Sequence, residues 1–134
     1  MLNRRLTLTL FLTLSVLLPC FAQSAGGGGR LLRFDEAAID LGEIDASRGE
    51  VEVAFTFENI SSKPVTVLDV YAQCGCTVPA FSPESVNPGK KSVIKVKLLT
   101  KDLTGPQKRH LTVVSSDGEN KRFSTISIIC TVTR

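Results

Sequence analysis

The chain has 134 residues, 16 lysines and arginines against 13 acidic residues, a formal charge of +3, four cysteines, one tyrosine and no tryptophan. After removal of an exported leader this is enough for one domain with a genuine core. The weak positive balance, with no basic stretch interleaved with aromatics, excludes a nucleic-acid surface, and the scarcity of Tyr and Trp argues against a carbohydrate- or base-stacking face.

Arg4 and Arg5 precede an apolar run of 13 residues, Leu6 to Leu18, broken by Pro19 and followed by the small residues Ala22, Ser24 and Ala25. That order reads as a secretory signal peptide over residues 1–22, cleaved after Ala22. The run is too short to cross a bilayer comfortably. Cys20 offers an alternative, in which Leu17-Leu18-Pro19-Cys20 is a lipidation site, although Pro19 before it and Phe21 after it are both unfavourable. Twin-arginine export is disfavoured because Thr7 stands where a large apolar residue is wanted. Cleavage at Ala22 leaves 112 residues with 14 basic and 13 acidic side chains. Residues 23–30, with glycines at 26–29, read as a flexible tether before a single domain over residues 31–134.

Within that domain, Leu31 to Asp35 and Ala38 to Leu41 read as a broken first strand, and Gly42 to Asp45 as a turn. Glu50 to Glu58 alternates cleanly: Val51, Val53, Phe55 and Phe57 share one face, while Glu50, Glu52, Thr56 and Glu58 share the other. Such period-two patterning predicts a strand with one buried face. Asn59 to Pro64 is a turn. Val65 to Tyr71 is a strand apolar on both faces and therefore expected at the centre of a sheet. Thr77 to Lys90 is a Pro-rich crossing that ends in Asn87-Pro88-Gly89-Lys90, a type II turn with Pro at the second position and Gly at the third. Ser92 to Leu98 places Ile94, Val96 and Leu98 inward. Gln107 to Ser115 buries Leu111 and Val113, Ser116 to Asn120 is a hairpin loop, and Phe123 to Val132 aligns Ile126, Ile128, Cys130 and Val132. There is no useful helical period. Six or seven short strands at regular spacing argue an all-β sandwich.

Several segments also resemble a bacterial family of exported domains of unknown function that is marked by a Cys-Gly-Cys-Thr motif. They are Asp40-Leu41-Gly42-Glu43-Ile44, Phe55-Thr56-Phe57-Glu58-Asn59, Cys74-Gly75-Cys76-Thr77, Asn87-Pro88-Gly89 and Gly105. The family is similar to Hydin-type immunoglobulin-like domains and, more distantly, to major sperm protein and periplasmic pilus chaperones. The resemblance runs from about Phe34 to Val132 and implies an immunoglobulin-like sandwich of about seven antiparallel strands. Two positions depart from it: Cys130 stands where a glycine is usual, and Ser116 replaces an Asn. The resemblance implies no activity.

The candidate site is Cys74-Gly75-Cys76-Thr77. In an extended chain the two cysteine Cα atoms would be ~6–7 Å apart, at the upper edge of disulfide reach, and Gly75 lets the backbone bend and bring them closer. A bridge across one residue constrains the unfolded chain little and is readily reduced. The pair is then an inert oxidised turn, an exchange-active dithiol, or a two-thiolate ligand for a soft metal such as Cu(I) or Zn(II); two sulfurs alone do not fill a tetrahedral zinc site. Cys130 reads as a buried core cysteine, with a long-range bridge to Cys74 or Cys76 as the alternative.

His110, the only histidine, falls on the solvent face with no nucleophile partner evident. Lys90, Lys91, Lys95 and Lys97 form a basic stripe expected to protect an edge strand. Phe81 reads as a core plug from the crossing. No acid–base pair, phosphate loop or metal cluster appears, and no cofactor is implied. The expected function is therefore a non-enzymatic interaction or assembly module of the bacterial envelope, in the periplasm or on the outer surface. Its expected partner is another envelope protein, with membrane contact only through a lipid at Cys20. The alternative is a thiol-redox or soft-metal-handling protein built on Cys74 and Cys76.

Overall fold

The computed structural model describes residues 29–134. The expected signal peptide, Cys20 and most of the tether lie outside those residues. Eight strands follow in order: β1 (Leu32–Phe34), β2 (Ala38–Asp45), β3 (Glu50–Asn59), β4 (Thr66–Ala72), β5 (Thr77–Phe81), β6 (Lys91–Leu99), β7 (Gly105–Ser116) and β8 (Lys121–Thr133). One sheet has the order β1-β3-β6-β5 and the other β2-β8-β7-β4. The immunoglobulin-like sandwich is as expected, with one refinement: β2 lies parallel to β8, while every other pairing is antiparallel.

The alternating strands supply the core. Phe55 and Phe57 of β3 and Ile94, Val96 and Leu98 of β6 face Leu111 and Val113 of β7 and Ile126, Ile128, Cys130 and Val132 of β8, all of them buried. β3 pairs with β6 without a register break from Glu50↔Leu99 to Glu58↔Lys91, so a single alternation sets both inner faces. Asn59 closes the top of β3. It is fully buried, and its side chain donates to the carbonyls of Lys63 (2.7 Å) and Val86 (2.8 Å) and accepts from the Ser61 amide (2.8 Å). The expected type II turn is present: Lys90 N–H donates to Asn87 O at 3.0 Å, and Gly89 has φ +75°.

Five local readings change. Glu43 to Asp45 is not a turn but the second half of β2, which continues through a bulge between Asp40 and Glu43. The bulge is possible because Gly42 takes φ +64° and gives its N–H to Asp40 Oδ1 at 2.8 Å. The Pro-rich crossing starts as a strand, β5, with Phe81 partly buried against the core from within it. β4 is an edge strand and not central; its second apolar face is partly spent on Leu68 and Tyr71, which are exposed. β6 is central and not an edge. Its lysines are matched by carboxylates: Lys91 with Asp35 (3.1 Å), Lys95 with Glu52 (3.7 Å) and Lys97 with Glu50 (3.3 Å). His110 is half-buried, with Nδ1 at 2.8 Å from Ser127 Oγ. That serine is 8% exposed and its N–H is bonded to Ala37 O.

The four lateral edges are blunted. β1 has three residues, β5 has five and contains Pro79, and β2 and β4 each carry a bulge. In β4 the Asp69 carboxylate also accepts the Val70 N–H at 2.8 Å. These are ordinary devices against edge-to-edge association.

Candidate functional site

The segment Gln73–Cys76 carries the chain from β4, at the edge of one sheet, to β5, at the edge of the other. Two backbone bonds fix this corner. Thr77 N–H donates to Cys74 O at 3.2 Å, closing the turn, and Leu99 N–H of β6 donates to Cys76 O at 2.8 Å. Cys74 and Cys76 are joined as a disulfide with Cα atoms 5.3 Å apart, closer than the extended estimate because the chain turns here. Both cysteines are half-buried, while Gln73 and Gly75 are exposed. The turn is made without a left-handed glycine, since Gly75 is not among the residues of positive φ. A Cβ added to Gly75 would meet nothing within 4 Å. The fold therefore does not require glycine at this position.

Thr77 points inward and is 4% exposed. Its Oγ1 lies 3.8 Å from Cys74 Sγ and 3.7 Å from Cys76 Sγ. The Cys76 N–H donates to Cys74 Sγ at 3.2 Å. The sulfurs are thus unequal: both approach one hydroxyl, but only Cys74 has an amide donor. Cys74 and Cys76 are bonded to each other, and among the described residues no group of three or more His, Cys, Asp and Glu gathers. Cys130 is unbridged, 3% exposed and inside the sandwich, so the long-range bridge considered from sequence is not formed. Burial pushes its thiol pKa up.

A second feature lies on the opposite lateral side and was not evident in the sequence. β2 pairs with β8 only from Ser127 onward, whereas β7 pairs with β8 from Lys121. Along Lys121–Ile126, therefore, β8 has a strand on one side only among the described residues. Beside this open half, β1 and the Ile60 turn enclose a groove of about 460 Å³. Leu32, Phe34, Ala37, Ile60 and Phe123 supply its apolar lining, and Arg30 and Arg33 its charge. Phe34 packs on Phe57 with ring centroids 5.9 Å apart, tying the groove floor to the core. Phe123 is 69% exposed and Ile60 44%, high values for large apolar side chains. The sequence placed Phe123 in a strand but gave no sign that its neighbouring strand stops short.

The family model for "Protein of unknown function (DUF1573)" matches residues 32–130, spanning both features. The chain belongs to the DUF1573 family. No curated protein matches it. Among solved structures, the VesB protease of Vibrio cholerae is similar at TM-score 0.64 and 14% identity, over 76% of this chain and 32% of that one. The ASH/PapD-like domain 7 of human CEP192 is similar at 0.59 and 10%, over 78% and 86%. The E. coli chaperone DraB is similar at 0.54 and 10%, over 75% and 55%. At these identities the likeness establishes the fold, and this DUF1573 domain spans only about a third of VesB. The immunoglobulin-like, PapD-like sandwich of an unknown-function family is thus what both the sequence pattern and the comparisons support.

Proposed function

We propose that this DUF1573 domain is an exported, non-catalytic interaction module of the bacterial envelope that takes an extended apolar segment of another exported protein into the groove between β1 and the open half of β8. The observation that carries the reading is the side of Lys121–Ile126 that no described strand pairs, which contains the 69% exposed Phe123 and lies beside the groove of about 460 Å³. Backbone groups on such a stretch give affinity to an added strand, and alternate side chains entering the groove give selectivity. Elsewhere the edges are blunted, so strand addition is directed here. Arg30 at the rim favours a segment with an acidic flank. The likeness to a chaperone fits a role in binding other proteins. The leader read over residues 1–22 supports export to the periplasm or the outer surface, with membrane attachment only through an acylated Cys20.

The test places a photo-crosslinking residue at Phe123 in cells, with one at Val93, on the far sheet, as control. A defined envelope protein is captured at 123 and not at 93, a peptide from that protein binds the purified domain, and Ile60→Glu abolishes both. Equal capture at the two positions, or capture indifferent to Ile60→Glu, overturns the groove reading. The mass of the mature N-terminus separates a chain beginning at Gln23 from one acylated at Cys20.

A further inference from the structure

The groove leaves the Cys-Gly-Cys-Thr corner without a part. The corner carries the one disulfide among the described residues, between two half-buried cysteines. Three observations bear on what it does. First, a bridge over a single intervening residue removes little entropy from the unfolded chain, so stability does not explain it. Second, the exposed Gly75 carries no side chain over the bond, although a Cβ would fit there without meeting any atom within 4 Å. Third, the hydrogen bonds around the sulfurs are asymmetric. Cys74 Sγ accepts the Cys76 N–H at 3.2 Å, and Thr77 Oγ1 stands 3.8 and 3.7 Å from the two sulfurs. Donors of this kind stabilise negative charge on a departing sulfur.

We propose that Cys74–Cys76 is an exchange-active disulfide that oxidises a dithiol in an exported protein, with Cys76 as the sulfur attacked and Cys74 as the leaving thiolate. A thiolate of the dithiol substrate attacks Cys76 Sγ. A mixed disulfide forms, the Cys74–Cys76 bond breaks, and its electron pair goes to Cys74 Sγ, where the Cys76 N–H and the Thr77 hydroxyl face the new charge. The substrate's second thiolate then attacks its own sulfur in the mixed disulfide, making the substrate disulfide and releasing Cys76 as a thiolate. Two electrons and two protons have moved from the substrate dithiol to Cys74 and Cys76. The backbone bonds from Thr77 to Cys74 O and from Leu99 to Cys76 O hold the corner while the sulfurs part. Cys130 does not intercept the exchange, because it is enclosed between the sheets. Tyr71, Val78 and Leu99, all exposed and within three residues of the corner or bonded to it, give a substrate an apolar footing. The inference needs the exported location, where thiols become oxidised, but not the groove.

The test uses the purified protein in a series of reduced and oxidised glutathione buffers, quenched in acid, alkylated and weighed. Cys74 and Cys76 are expected to pass from disulfide to two alkylated thiols within the series while the protein stays folded, with Cys130 alkylated only in denaturant. Mixing the oxidised protein with a reduced, unstructured dithiol peptide gives peptide disulfide and reduced protein one for one. A pair that stays oxidised across the series, or opens only on unfolding, overturns the proposal. The direction is read from alkylation rate against pH in single variants: the Cys74 thiolate in Cys76→Ser forms at lower pH than the Cys76 thiolate in Cys74→Ser. The reverse order overturns the assignment of the leaving sulfur. The wild-type titration stands even if a variant fails to fold, and none of these measurements depends on the groove.

Discussion

The two lateral sides of the sandwich are closed in opposite ways. On one side β4 and β5 are joined by a short corner held by a disulfide, two backbone bonds and an inward threonine. On the other, β1 and β2 are short or late, and half of β8 has a side that no described strand pairs and an exposed phenylalanine. The same two sheets and the same core support both. One core thus carries two different lateral ends, a strand whose neighbour stops early and a turn that is tightly held.

The comparison breaks first if the shared core is misassigned. Phe55→Ala should cost ~3–5 kcal/mol, as large aromatic truncations in cores do, because Phe55 is fully buried between the sheets. Thr56→Ala, on the outer face, should cost far less; similar losses in urea unfolding would mean the register of β3 is wrong. The next test is of the corner. Cys74→Ser with Cys76→Ser should lower stability by only about 1–2 kcal/mol, since the closed loop is minimal. A loss well beyond that would make the corner a staple and weaken the case for exchange. On the open side, Phe123→Ser should change stability by no more than about 0.5 kcal/mol, as exposed positions do, while removing the capture of an added strand. A large loss in the melt would mean that Phe123 serves the fold. The smallest effect is expected at Gly75→Ala: an unchanged melting curve, because the residue has no positive φ and its Cβ would be unobstructed. Slower thiol exchange in the same variant would sharpen the contrast, since the missing side chain would then serve access to the sulfurs.

Much of the scaffold was legible in the chain. Val53, Phe55 and Phe57, like Ile94, Val96 and Leu98, sit inward because a strand's period of two leaves one face to bury. Asn87-Pro88-Gly89-Lys90 also declared its turn, since only a residue tolerant of positive φ fits the third position. The pattern marks Asn59 as a turn residue, and the structure adds that its side chain ties together the carbonyls of Lys63 and Val86. That bond set joins positions 27 residues apart, a distance local patterning does not span.

Which residues face inward, that the strands make a sandwich, and that Cys74 and Cys76 lie close are legible in the chain alone, because local alternation and spacing carry them. Which strands are edges, that β2 runs parallel to β8, that the lysines of β6 are paired with carboxylates, and that no described strand flanks the second side of Lys121–Ile126 emerge only from the folded chain. Those properties depend on which strand lies beside which and where each neighbour stops. An apolar strand at an edge and one at a centre carry much the same alternation, so the distinction arises only when the sheets assemble.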